Sequence, residues 1–152
     1  MTVRIQSEDF NIAEEVTALT NVKAGEIPGA LVTFTGIVRD FYQGDTVKSL
    51  TLEHYPGMTE KELTRIYDEA CQRWPIGRAT IIHRIGRLEA GDNIVFVGCT
   101  SPHRDAAFEA ARFIMDYLKT DAPFWKAEET KHGTTWVDAR DSDRASLKKW
   151  ES

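Results

Sequence analysis

The chain is poor in cysteine, in long apolar runs and in net positive charge, and each shortage removes a class of protein. Its two cysteines, Cys71 and Cys99, stand 28 residues apart without a CxxC spacing. They read as reduced thiols rather than as a disulfide framework. The longest apolar stretch of note, Ile94 to Cys99, is far too short to span a bilayer. Nineteen basic against 24 acidic residues leave a net charge of −5, which opposes the counterion-displacing association with nucleic acid. The opening MTVRIQSEDF has no basic stretch followed by an apolar core, so no secretory signal is expected. A cytoplasmic protein bound to neither membrane nor nucleic acid is the expectation.

Familiar catalytic and metal signatures are also missing. There is no HExxH, GxSxG, Walker A or GxGxxG pattern. His54, His83, His103 and His132 show no i, i+4 pairing and no cysteine partners, so neither a metal nor a cofactor is expected. Repeats and linkers are absent, and 152 residues fit one domain, 1–152, able to bury a core without staples. An acidic protein can still hold a local basic pocket, which would draw a small anionic ligand.

What is present reads as alternating helices and strands. Val3 to Gln6 predicts a strand, and Ser7 is expected to cap a helix reaching Leu19. Ala30 to Val38 alternates as a strand, with Val32, Phe34 and Val38 on one face and Leu31, Thr33, Thr35 and Ile37 on the other. Gly36 interrupts the first face, the mark of a bulge or a close backbone approach. Val47 to His54 is expected to return as the hairpin partner of that strand. Arg39 at the strand end reads either as a solvated flanking charge or as a ligand group on a rigid support.

Thr59 with Glu62 predicts a capping box, and Leu63, Ile66, Tyr67, Ala70 and Trp74 then form one helical stripe. Cys71 beside it is expected to be buried or half-buried. Arg78 to Ile85 reads as a strand and Gly86 to Asp92 as a turn. Ile94 to Ser101 is apolar on both faces, as a central strand is. Ser101-Pro102 is a helix-start pattern that puts His103 and Arg104 in the first turn. There the free N–H groups and the dipole favour an anion, so the pair reads as ligand-facing or as surface decoration, and the pattern alone leaves both open. Lys126–Thr130 and Thr134–Asp138 predict a hairpin, and Ser142 is expected to cap a last helix ending near Trp150.

Between these lies FIMDYLKTDAPFWKAE, Phe113 to Glu128. Pro123 lacks the N–H a continuing helix needs and pushes its predecessor out of the α region, so Asp121 and Pro123 end the helix. Phe124 and Trp125 are expected to anchor the connection, which leaves Lys119 and Lys126 flanking a fixed corner. A lysine becomes a nucleophile or base only when desolvation or a neighbouring cation lowers its pKa. Arg39 or Arg104 nearby would meet that condition and would also bind phosphate. The same spacing suits two surface lysines at a helix end and a strand start.

Several long stretches decide the matter by resemblance. VTFTGIVRD (Val32 to Asp40), LTLEHYPGMTEKEL (Leu50 to Leu63), RWPIGR (Arg73 to Arg78), HRIGRLEAGDNIVFVG (His83 to Gly98), TSPHR (Thr100 to Arg104) and FIMDYLKTDAPFWK (Phe113 to Lys126) closely resemble the family of molybdopterin synthase large, catalytic subunits. A weaker echo follows in WVDARDSD (Trp136 to Asp143), and the first 29 residues carry no signature. The resemblance implies an α/β (α+β) fold, a hammerhead-like unit with antiparallel β-sheet and packed helices. It implies a sulfurtransferase that converts a cyclic pyranopterin monophosphate, precursor Z, to molybdopterin. The sulfur would come as a thiocarboxylate on the C-terminal Gly-Gly of a small ubiquitin-like subunit, with large subunits paired as a homodimer inside a heterotetramer.

Position by position, the resemblance makes Lys119 the base or transient acyl acceptor beside the tail and Lys126 the group that steadies anionic charge. Arg39, Ile37 and Val38 fall at substrate-contact positions. His103 and Arg104 match an anion-contacting pair supplied across the dimer, Ala127 and Glu128 continue the substrate-lining segment, and Arg140 matches a further basic residue. Sulfur from a partner would leave neither cysteine a catalytic role. A non-catalytic docking module for a ubiquitin-like tail is the competing reading; intact Arg39, His103 and Arg104 weigh against it, because a tail-binder needs no phosphate pocket.

Overall fold

The computed structural model describes residues 1–42, 44–137 and 141–151, with the backbone alone for 141–143. In chain order the elements are β1 (Thr2–Gln6), α1 (Ile12–Thr20), β2 (Ala30–Ile37), β3 (Phe41–Tyr42), β4 (Asp45–His54), α2 (Met58–Arg73), β5 (Ala79–Arg84), β6 (Gly86–Glu89), β7 (Asn93–Ser101), α3 (Arg104–Thr120), β8 (Phe124–Thr130), β9 (Gly133–Val137) and α4 (Asp141–Leu147), followed by a 3-10 turn at Lys148–Trp150. The first sheet has the order β1-β5-β7-β2; β1 runs parallel to β5 and the other pairs are antiparallel. In the second, β4 is flanked by β6 and β8, with β9 beyond β8 and β3 folded onto the start of β4. The fold is thus the expected mixture of helices with largely antiparallel sheets. No helix among the described residues is long and apolar enough to cross a membrane.

Strand β7 is central, as its two apolar faces predict, and period-two alternation decides what each face meets. Val95, Val97 and Cys99 join the main core with Leu63, Ile66 and Ala70 of α2 and Ala110, Phe113 and Ile114 of α3. Phe96 points the other way, into a smaller cluster with Phe10, Leu19 and Ile82. Gly98 lets α1 settle on this second face, because a Cβ there would stand 2.5 Å from Leu19 Cδ1. Trp150 closes the C-terminal end: it is buried edge-on to Trp74 and Phe113 and donates its indole N–H to Asp116 at 2.8 Å.

Three helix starts differ from the local reading. Asn11, not Ser7, caps α1 by accepting the Glu14 N–H at 3.1 Å. At α2 the Glu60 carboxylate accepts the Gly57 N–H at 2.7 Å, while the Thr59 hydroxyl turns back to bond both the N–H and the carbonyl of Tyr55. Ser101 remains in β7, paired with Ala30, and its hydroxyl donates to the Pro75 carbonyl at 2.8 Å. The N-cap of α3 therefore falls to His103, which makes no side-chain capping bond. At Ser101 a longer-range demand outweighs the capping preference.

The strand pairing departs further. The segment expected to form a hairpin with β2 does not pair with it: β2 pairs with β7, and β4 pairs with β6 and β8. The reason is burial, since Leu50 and Leu52 of β4 pack with Val38 and Leu88 in a cluster of their own. Gly86–Glu89, expected to be a turn, supplies Leu88 to that cluster as a short strand opposite Ser49–Leu52. The β8–β9 hairpin forms where expected; Asp138 lies outside the described residues. Cys71 is exposed rather than buried or half-buried.

Candidate active site

A cavity of about 420 Å³ gathers side chains from both sheets and from the C-terminal end of α3. Three cations line it: Arg39, Lys119 and Lys126. Glu128 is the carboxylate in the same wall, while Phe34, Ile94, Met115, Leu118 and Phe124 supply apolar surface. An anion with a flat apolar body fits such a lining, because the cations offset its charge and the apolar side chains cover its faces.

Arg39 is held by what precedes it. Val38 is buried, its N–H donates to the Asp92 carbonyl at 2.9 Å, and its own carbonyl accepts the Gly91 N–H at 2.8 Å. The register of β2 against β7 shifts between Gly36 and Ile37. A Cβ on Gly36 would meet Val95 Cγ1 at 2.7 Å, so the close approach anticipated at this glycine is present. The bulged strand end then delivers Arg39 to the rim, where its guanidinium lies 4.2 Å over the Tyr42 ring. Ile37 and Val38 line the cavity beside it.

Lys119 sits in the last turn of α3, where the unpaired carbonyls favour a cation. Asp121 follows as the C-cap, donating its N–H to Tyr117 at 2.8 Å, and the Phe124 N–H closes a tight turn on the Ala122 carbonyl at 2.8 Å. The corner is pinned by buried Ala122 and by an ion pair from Arg65 to Asp121 at 3.3 Å. Phe124 is the aromatic anchor: its ring stacks on His83 with centroids 3.8 Å apart. Trp125, expected to share that task, is 47% exposed on the other face of β8.

Strand alternation settles the next residues. Lys126 is opposite Leu52 on β4 and Val137 on β9, and Phe124, Lys126 and Glu128 share the cavity face. Ala127, expected among the lining residues, projects to the opposite face and is not part of the wall. His103 and Arg104 are exposed at the start of α3 and do not line this cavity. The helix separates them from Lys119 by roughly 22 Å at 1.5 Å per residue. Arg140 lies outside the described residues.

Two features were not singled out from the sequence. Phe34 was placed on a strand face without a role, yet it lines the cavity. His83, weighed and set aside as a metal ligand and otherwise read as a strand residue, is in the same wall. Burial, the largest influence, lowers its pKa to about 4, with smaller contributions from Lys126 and His54. Its hydrophobic neighbours on β5 hid it, since one polar residue in an apolar alternation looks like noise. Cys99 is buried, and burial pushes its thiol up to about 12, which makes it a poor thiolate at neutral pH. Among the described residues no group of three or more His, Cys, Asp or Glu is placed to hold a metal ion.

Fold and site together define a mixed α/β protein with a cation-lined cavity whose charge suits an anionic ligand. The chain belongs to the MoaE protein family, whose model matches residues 5–121. The molybdopterin synthase catalytic subunit of Escherichia coli (strain K12) is 59% identical over 143 residues, 94% of this chain and 93% of that one. Among solved structures, the molybdopterin biosynthesis MoaE protein from Burkholderia ambifaria MC40-6 has a TM-score of 0.82 at 48% identity, covering 99% of both chains. Molybdopterin synthase from Staphylococcus aureus has a TM-score of 0.79 at 34% identity, covering 88% of this chain and 94% of that one.

Proposed function

We propose that the cavity is the active site of a molybdopterin synthase catalytic subunit, where a phosphorylated pterin receives sulfur from the thiocarboxylate tail of a small partner subunit. The chain is an enzyme of molybdenum cofactor biosynthesis. One observation carries the reading: Arg39, distant in sequence from Lys119 and Lys126, converges with them on one cavity with apolar walls. Both reactants are anions, and fixed cations at developing charge are the largest rate contribution available to such a site.

In this scheme Arg39, with Ile37 and Val38, holds the pterin, while Lys119 meets the incoming Gly-Gly end as base or transient acyl acceptor. Lys126 steadies the negative charge that builds as sulfur leaves the acyl carbon, and Glu128 borders the substrate. Each tail gives up one sulfur, so two deliveries complete the dithiolene. The buried Cys99 thiol supports an external sulfur source. The curated relative is itself a "catalytic subunit", a name that presupposes another subunit. His103 and Arg104, too far along α3 to join their own protomer's cavity, serve the cavity of a second large subunit. The setting is the cytoplasm.

The deciding experiment mixes purified protein with thiocarboxylated partner and pterin substrate and measures molybdopterin. Lys119→Ala is expected to abolish product while the circular dichroism spectrum stays that of the parent. Near-normal turnover by this variant would remove the proposal; tight tail binding by the parent without any sulfur transfer would reduce the chain to a docking module.

A further inference from the structure

His83 is a buried titratable group in the cavity wall that the scheme above leaves without a task. It is 3% exposed, on β5, and its ring is held flat against Phe124 at an interplanar angle of 17°. Its Nδ1 lies 2.8 Å from the Arg84 carbonyl oxygen. A carbonyl can only accept, so in the neutral ring Nδ1 carries the proton and Nε2 the lone pair. Nε2 has no hydrogen-bond partner among the described residues. With Nδ1 tied to the backbone, Nε2 is the nitrogen that remains for a ligand in the cavity.

The neighbouring side chains give this nitrogen a distinct character. Arg39, Lys119 and Lys126 line the same cavity and, as cations, offer donors only. Among the side chains of the wall, His83 combines a lone pair with near-complete burial, whereas the Glu128 carboxylate is only half-buried. Lys126 from β8 and His54 from β4 act on the ring electrostatically, and together with burial they hold it neutral through the physiological range.

We infer that His83 is a further substrate-contacting residue, whose Nε2 accepts an N–H of the ligand while the cations take that ligand's anionic end. This rests on the reading of the cavity as the synthase site. The chemistry recognised is an N–H donor close to an anionic group. A pterin monophosphate carries it in its ring and amino group, and a Gly-Gly tail carries it in its amides. Without a ligand, water can serve Nε2; a ligand that displaces the water without offering an N–H leaves a buried acceptor unpaired, which is costly.

The test titrates the folded protein separately with a pterin monophosphate and with a synthetic peptide ending in Gly-Gly. Wild type is compared with His83→Phe, which keeps the ring stack and removes the acceptor, and with His83→Gln, which restores an acceptor. His83→Leu stands in should the Phe variant not fold. Expected is a loss of roughly three- to tenfold in affinity for one probe, the size of one neutral hydrogen bond, with the other probe unaffected and partial recovery in His83→Gln. The probe that weakens identifies the donor. Equal affinities in all variants, or an equal loss for both probes that Gln does not recover, would overturn the inference and leave the cavity reading standing. A wild type that binds neither probe would overturn both.

Discussion

At one end of α3, His103 and Arg104 stand exposed beside the N–H groups that a helix start leaves unpaired. At the other, Lys119 lies against the last carbonyls and lines a cavity with Arg39 and Lys126. The cation at the C-terminal end is complementary to the helix dipole, so its placement favours the fold as well as the site. Arg104 at the N-terminal end opposes the dipole, and Asp105 in the same turn offsets only part of that. One helix thus carries a cation that its dipole favours and a cation that its dipole opposes. In the proposed scheme the second has its reason outside the protomer, in an anion bound across a subunit interface.

The largest effects are expected at the cavity end. Lys119→Ala should lower turnover at least about a thousandfold, and Lys126→Ala about a hundredfold, the range seen when a group acting on transition-state charge is removed. Quantifying molybdopterin formed under single-turnover conditions checks both. Equal losses at His103 or Arg104 without any dependence on a second subunit would erase the distinction between the two ends.

Acid should expose the cavity end next. The folded-state pKa of His83 is lowered from 6.5 to about 4. Between those values the unfolded chain binds a proton that the folded chain does not, so stability falls as pH drops through that window and is unaffected above it. The gap corresponds to on the order of 3 kcal/mol at its full extent. Urea unfolding at pH 7 and pH 4.5 should show a smaller pH dependence for His83→Phe than for the parent; equal slopes would show that the ring titrates normally.

A mixing experiment sharpens the comparison more directly. If the pair on α3 serves a partner's cavity, a dimer of one Lys119→Ala subunit with one Arg104→Ala subunit has one intact site and one doubly impaired site. Random reassortment of two inactive variants should then restore roughly a quarter of wild-type activity, given the symmetry of an isologous dimer. No recovery would mean that both ends act within one chain. The smallest effect is on stability itself: Arg104→Ala should raise, and Lys119→Ala lower, the unfolding free energy by about 0.3–1 kcal/mol at low salt, read by chemical denaturation.

The two ends also differ in how far neighbouring residues announced them. The proline break, the apolar stripe of α3 and the double-faced strand β7 were all legible, because stereochemistry and periodicity act over a few residues. The resemblance located the charged positions. Ser101 looked like a cap and is not one, because the pairing of Ala30 with Ser101 and the bond to Pro75 keep it in the sheet. Ala127 looked like part of the wall and faces away, because strand alternation turns every second side chain of β8 to the opposite face.

What the sequence determined by itself was local: where α3 ends, that a rigid corner separates Lys119 from Lys126, and that the chain has no surplus positive charge for nucleic acid. Only the tertiary structure decided that β2 pairs with β7 rather than with the next strand, and hence that Arg39 and His83 reach the same cavity as the two lysines. Sheet pairing depends on which distant apolar faces bury together, Leu50, Leu52 and Leu88 around Val38 in this chain. That is a property of the whole chain, which no window of neighbouring residues contains.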